Sequence, residues 1–205
     1  MSTATAFWNW IAPRYARQPI ADEAAYEKKL AMTQAHFTPE MRVVEFGCGT
    51  GSTAVRHAPH VGAYVGIDVA ERMVAIGREQ AELAGLRHLD FVVGTLEEAG
   101  LEAESFDAAL GLNILHLVPD LDATLEAVAR VLKPGGLFVS STVCLDEIEG
   151  RLARIGRLVR FVPFMPTVVP LTADGLVAKL ERVGFAIEER WDQGAGIVFL
   201  IARRS

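Results

Sequence analysis

The stretch VVEFGCGTGS, Val43 to Ser52, constrains this chain more than any other. An apolar run carries an acid, Glu45, and is followed by glycines at alternate positions, Gly47, Gly49 and Gly51. A strand needs side chains to pack, and glycine offers none. A backbone left bare in this way suits a loop that adopts positive φ and lets a ligand approach the main chain. A strand, a glycine loop and a helix form the first unit of nucleotide-binding α/β folds, which bind ligands at the carboxyl ends of their strands. A helix beginning near Ser52 would aim free N–H groups and partial positive charge at the same place.

The rest of the chain keeps that rhythm. MRVVEF, AYVGID, LDFVVG, FDAALGL and LFVSSTV read as buried strands. Between them, STAVRHA, VAERMVAIGREQAELAG (with Gly85 as its C-terminal cap) and DATLEAVARVL read as helices, and KPGG as a turn. Near-continuous apolar strands alternating with helices indicate a parallel sheet covered on both faces. The end departs from this pattern. After the helix TADGLVAKLERVG come AIEERWD and GIVFLIARR, separated by a few residues around Gly194 and Gly196. Such strands pair antiparallel. The expected fold is a single α/β Rossmann-like domain over 1–205, a seven-stranded and mostly parallel sheet with an antiparallel edge hairpin. Residues 1–38 would form an N-terminal lid and helices, and residues 146–171 an insert covering the substrate side.

The bulk numbers set limits. A chain of 205 residues fits one domain with a full core. A formal charge of -6 gives no global reason to bind nucleic acid. Two cysteines, Cys48 and Cys144, support neither a disulfide scaffold nor a zinc cluster. The start, MSTATAFWNW, lacks the basic and apolar parts of a signal peptide, and LVRFVPFMPTVVP carries Arg160 and three prolines, so it makes no clean spanning helix. The expected location is the cytoplasm.

Asp68, in YVGIDVAERM, is the next acid at a strand end, 17 positions past Gly51. A carboxylate there suits both hydroxyls of a ribose, a contact worth roughly 1.5–3 kcal/mol. The loop reads G-C-G-T-G, one residue tighter than the dinucleotide fingerprint G-x-G-x-x-G, and no Walker lysine follows it. A nucleoside without a diphosphate fits better than NAD or ATP.

EFGCGTGS, GIDVAERM, FDAALGLNILHLVPD and LKPGGLFVSST together resemble the class I S-adenosylmethionine-dependent methyltransferases of the small-molecule type. The likeness spans about residues 40–145, and AERM, LHLVPD and LKPGG are most similar to the quinone-biosynthesis and phospholipid branch. The resemblance implies S-adenosyl-L-methionine as cofactor. Glu45, Gly47 and Gly49, with Cys48 in the same loop, would surround its methionine part. Asp68 would hold the ribose, Val69 and Met73 would flank the adenine, and Leu96 would lie beside it with its N–H available. Asn113 would face the methionine end or the reacting methyl. One departure stands out: the family often has Gly-Asp-Ala after the third strand, and this chain has Gly94-Thr95-Leu96. Thr95 or a nearby acid such as Glu97 takes the adenine amino group, or packing alone holds the ring.

Several residues keep two readings. Cys48 has no evident partner base and suits a small-residue position better than a catalytic thiol. His116, the one histidine in the motif after the fourth strand, is a general base or a packed residue near the pocket. FWNWIAPRYARQPI is a packed helix or a lid in which Tyr15 touches the cofactor. GRLARIGRLVRFVPFMP repeats arginine every third residue from Arg151 to Arg160. It is a cover over the substrate or, through 151–166, a peripheral contact with an anionic membrane surface. The expected activity is in-line methyl transfer to a small, hydrophobic or lipid-like acceptor, without metal, with His116 and Asn113 as catalytic candidates. The rivals are a catalytically silent S-adenosylmethionine-binding protein and a nicotinamide-dependent oxidoreductase. Neither the acceptor nor the oligomeric state is legible.

Overall fold

The computed structural model describes residues 3–144, 169–194 and 196–205. Its strands are β1 (Arg42–Phe46), β2 (Ala63–Asp68), β3 (Leu89–Val93), β4 (Phe106–Leu112), β5 (Leu132–Val143), β6 (Phe185–Asp192) and β7 (Ile197–Arg204). The helices are α1 (Thr3–Tyr15), α2 (Glu23–Gln34), α3 (Ser52–His57), α4 (Glu71–Leu83), α5 (Leu121–Val131) and α6 (Ala173–Arg182). The strands form one sheet in the order β3-β2-β1-β4-β5-β7-β6. Pairing is parallel from β3 to β5, whereas β7 runs antiparallel to both β5 and β6. The terminal hairpin is thus as expected. Its second strand lies inside the sheet, and β6 forms the edge.

Alternation along β1 explains why both faces are covered. Val43 points to a layer with Ala54, Val74 and Phe91; Val44 and Phe46 point to the other, with Leu125, Val128, Leu176 and Leu180. Fully burying one such side chain is worth about 1.5–3 kcal/mol, so the two cores hold the sheet between its helix layers.

The helix boundaries have local causes. Asp22, Asp120 and Thr172 cap α2, α5 and α6, accepting from Ala25, Ala123 and Gly175 N–H. After α4, Gly85 sits at φ +68°. Its N–H reaches Glu82 O and that of Leu86 reaches Ala81 O, the paired bonds of a glycine-terminated helix.

The segment KPGG is a correction. It does not precede the fifth strand as a turn but bulges within it. Phe106 pairs with Leu132 and Ala108 already pairs with Leu137, so Asp107 opposes the four looped residues and takes Lys133 Nζ at 2.6 Å. The arginine-bearing segment 151–166 lies outside the described residues. Among the described residues no helix is long and apolar enough to cross a membrane.

Candidate functional site

The glycine loop joins β1 to α3, and its three glycines are bare for different reasons. Gly47, Gly49 and Gly51 all have positive φ, at +63°, +55° and +76°. A methyl group on Gly47 would lie 2.5 Å from Ile114 Cγ1, and one on Gly51 2.6 Å from Phe91 Cζ. These two glycines admit neighbouring side chains. Gly49 alone is open: its nearest neighbour would be Tyr15 Cε1 at 3.8 Å. The side-chain space at Gly47 and Gly51 is filled by the protein, and that at Gly49 is not. The helix behind the loop, α3, is six residues long, so its dipole adds less than expected.

Asp68 ends β2 and fastens this loop. Its Oδ2 accepts from Gly49 N–H and its Oδ1 from Ala70 N–H, both at 2.9 Å. Each carboxylate oxygen keeps lone-pair capacity for a further donor. Burial raises the Asp68 pKa, and the two amide bonds oppose that rise. Glu45 is 3% exposed and accepts from Tyr64 Oη at 2.7 Å. Burial, against the Tyr64 bond, pushes its pKa to about 7. Among the described residues, neither acid has a cationic partner. The same surroundings raise the Cys48 thiol well above its usual range, first through burial and then through Glu45 and Asp68. The thiol is neutral there, which fits the small-residue reading.

Helix α1 packs on the start of α4 and reaches the glycine loop through Tyr15. Ala12 is buried against Ala70 and Met73, with Trp8, Ile11 and Ile76 around them. Asn9 Oδ1 accepts from Arg72 N–H at 2.9 Å and caps α4, whose own N-cap, Ala70, has no side-chain oxygen. Tyr15 ends the helix 43% exposed, and its hydroxyl pKa is raised by burial and then by Asp68 and Glu45. The helix is packed on the fold, and its last residue lies over Gly49.

The residues expected around adenine follow the paired ends of β2 and β3 or lie on α4. Val69 is half-buried after β2, while Met73 is 2% exposed beneath α1. Leu96 is buried in the core on the α5 side, though its N–H has no partner among the described residues. Thr95 is committed locally. Its Oγ1 accepts from Glu98 N–H and its own N–H donates to Glu98 Oε2, both at 3.3 Å. Glu97 is drawn away to Thr124 Oγ1 at 2.9 Å. The acid next to this turn is therefore Glu98, which the sequence reading passed over.

After β4, Asn113 adopts φ +58°. Its N–H donates to Ser141 O at 2.7 Å, and its Oδ1 accepts from Ser141 Oγ at 3.4 Å. Lys29 Nζ, from α2, donates to the same Ser141 Oγ at 2.9 Å. One turn earlier on α2, Tyr26 Oη meets Thr53 Oγ1 at 3.3 Å. His116 follows on the same loop. Its carbonyl accepts from Val169 N–H at 2.8 Å, its Nδ1 is buried with no partner among the described residues, and burial lowers its pKa. The sequence singled out neither Lys29 nor Tyr26, because an Ala-, Glu- and Lys-rich helix shows no such signal before it is docked. No group of metal-ligating side chains is present among the described residues.

Comparison with known proteins agrees with this geometry. A family model described as a methyltransferase domain matches residues 43–136. The demethylmenaquinone methyltransferase of Symbiobacterium thermophilum is 28% identical over 167 residues, covering 77% of this chain and 65% of that protein. A ubiquinone biosynthesis O-methyltransferase of Cereibacter sphaeroides is 33% identical over 125 residues, covering 60% of this chain and 50% of that protein. Residues 43–136 match a methyltransferase domain, and the chain is similar to class I S-adenosylmethionine-dependent methyltransferases. It spans about half to two thirds of the length of these two curated relatives. The fold of this methyltransferase domain is that of a crystallised S-adenosylmethionine-dependent methyltransferase from Thermotoga maritima, with a TM-score of 0.75 at 22% identity and full coverage of both chains.

The site suits the family's cofactor. Two uncompensated carboxylates at the ends of adjacent strands match a ligand that brings an ammonium, a sulfonium and ribose hydroxyls. Gly49 leaves space beside the main chain between them.

Proposed function

We propose that the chain transfers a methyl group from S-adenosylmethionine to a small, hydrophobic or lipid-like acceptor. The observation that carries this reading is the pairing of Glu45 and Asp68, without cations, around an open Gly49 under Tyr15. The cofactor supplies a methyl group on a sulfonium, which departs as a neutral thioether. The protein's part is mostly placement. Holding the nucleophile in line at near-contact distance is worth about 7–11 kcal/mol.

In this reading Asp68 holds the ribose, Glu45 faces the ammonium, and the Gly47–Gly49 backbone with Cys48 lines the methionine. Val69 and Met73 border the adenine, Met73 from beneath. Leu96 N–H faces the ring edge, and Thr95 shapes that turn through Glu98. Asn113 orients the reacting end. His116, neutral at physiological pH, takes the proton of an acceptor that must lose one. Tyr15 and α1 form the lid, within one domain covering 1–205 whose 146–171 segment covers the acceptor. The hydrophobic acceptor is inferred from Phe7, Trp8 and Trp10: the Phe7 ring meets Trp8 edge-to-face at 5.2 Å and Trp10 tilted at 6.4 Å between centroids, and Trp10 is 74% exposed. Relatives named as a fatty-acid O-methyltransferase, 36% identical over 100 residues, and the quinone methyltransferases above point the same way.

Calorimetric titration with S-adenosylhomocysteine and with NADH tests the reading. Binding of the first and not the second is expected. The reverse would move the chain to the nicotinamide enzymes. Cofactor binding with no methyl transfer to any fraction of a lipid extract would leave a silent binding protein.

A further inference from the structure

Lys29 stands out among the described basic residues of the site. Its Nζ reaches from α2 to Ser141 Oγ at the carboxyl end of β5, and that serine is 1% exposed. Among the described residues no carboxylate lies within ion-pair distance of Nζ. The acid that most affects it, Asp22, sits seven residues earlier as the cap of α2. Burial lowers the Lys29 pKa, and Asp22 only partly opposes that fall. A half-buried ammonium with no acid beside it is costly unless a ligand supplies the negative charge. Three hydrogens sit on Nζ, and Ser141 uses one.

Its position says which ligand. Ser141 pairs with Leu112, the residue before Asn113, so Lys29 Nζ and the Asn113 side chain meet on one serine hydroxyl. Glu45 and Asp68 end β1 and β2, whereas Ser141 is on β5, separated from β1 by β4. At about 4.8 Å per strand this puts Lys29 roughly 10 Å along the sheet from Glu45. That is the side away from the ribose-binding Asp68 and beyond the methionine end.

We propose that Lys29, steadied by Ser141, receives an anionic oxygen of the acceptor: a carboxylate, phenolate or phosphate next to the atom that is methylated. The inference rests on the methyltransferase reading. One other source of the same chemistry exists, the carboxylate of the cofactor's own amino acid. The strand positions favour the acceptor, and the experiment separates the two.

Wild-type protein, Lys29→Met and Lys29→Arg would be titrated with S-adenosylhomocysteine and with methylthioadenosine, which lacks the amino-acid part. The proteins loaded with S-adenosylhomocysteine would then be titrated with octanoate and with 1-octanol. Thermal melts report that each variant is folded. The expected result is unchanged affinity for both nucleosides in Lys29→Met and a 10- to 100-fold loss for octanoate, with octanol unaffected and Lys29→Arg largely restoring octanoate. Loss of S-adenosylhomocysteine with methylthioadenosine intact would overturn the acceptor assignment in favour of the cofactor's carboxylate. Octanoate that binds no better than octanol, or that fails to bind, or that is indifferent to Lys29→Met, would overturn the anion site altogether. Failure of wild-type protein to bind S-adenosylhomocysteine would instead bring down the methyltransferase reading beneath it.

Discussion

The Asp68 carboxylate holds the Gly49 amide at 2.9 Å, so the acid ending β2 fixes the loop that ends β1. The residue assigned to ribose therefore also builds the wall beside it. Its other oxygen ties the approach to α4 through Ala70 N–H. Ligand affinity and loop order are coupled through one side chain.

Asp68→Ala should accordingly do two things. Affinity for S-adenosylhomocysteine should fall about 10-fold or more, because hydrogen bonds to a charged group are lost. Amide exchange at Gly49 and Ala70 should also quicken in the ligand-free protein. Calorimetry and hydrogen-exchange mass spectrometry read the two effects separately. Slower or unchanged exchange would show that the loop does not depend on this acid.

The glycines should not be equivalent. Gly47→Ala combines positive φ with a 2.5 Å clash on Ile114 and should destabilise by about 2–4 kcal/mol. Gly49→Ala meets only the Tyr15 ring at 3.8 Å and should cost about 1–2 kcal/mol from backbone strain alone. Its larger effect should fall on cofactor affinity. Urea denaturation of both variants checks the order.

If the proposed contact holds, Glu45 should make cofactor binding release a proton. With its pKa at about 7, the group is part protonated near neutrality, and an ammonium beside it favours the ionised form. Titration of S-adenosylhomocysteine near pH 6.5 in buffers of different ionisation enthalpy should show proton release, which Glu45→Gln removes. The same shift bears on stability. A raised folded pKa contributes stability below the unfolded value of about 4.5, and this is lost as pH climbs through about 7.

His57 acts in the opposite sense. It is 1% exposed, packs against the Phe37 ring at 5.3 Å and lies 3.4 Å from Gln34 Nε2. Burial, then His60 and Arg56, hold its pKa at about 3. A depressed folded pKa gives stability that is present above the unfolded value near 6.5 and lost as pH falls toward about 3. The slope is up to about 1.4 kcal/mol per pH unit. His57→Leu should flatten the acid limb of a stability profile measured from pH 7 to pH 4. An unaltered limb would assign acid unfolding to other groups.

Much of this was written in local pattern. Runs such as RVVEF and FDAALGL can only be buried strands, because their side chains alternate between two apolar layers. Asp120, Thr172 and Gly85 mark helix ends through bonds made within a few residues. G-C-G-T-G followed by Asp68 sets a nucleoside site, because positive φ and a carboxylate are needed at set points along the chain. The tertiary structure alone decided what sits beside what. Ile114 and Phe91 claim two of the three glycines, Asn9 caps α4 from 63 residues away, and Glu97 accepts from Thr124 on α5. Lys29 and Ser141, separated by 112 positions, meet only because the fold brings α2 to the carboxyl end of β5. Periodicity and capping are short-range effects and survive in a one-dimensional text. Contacts between side chains distant in sequence depend on how the layers pack.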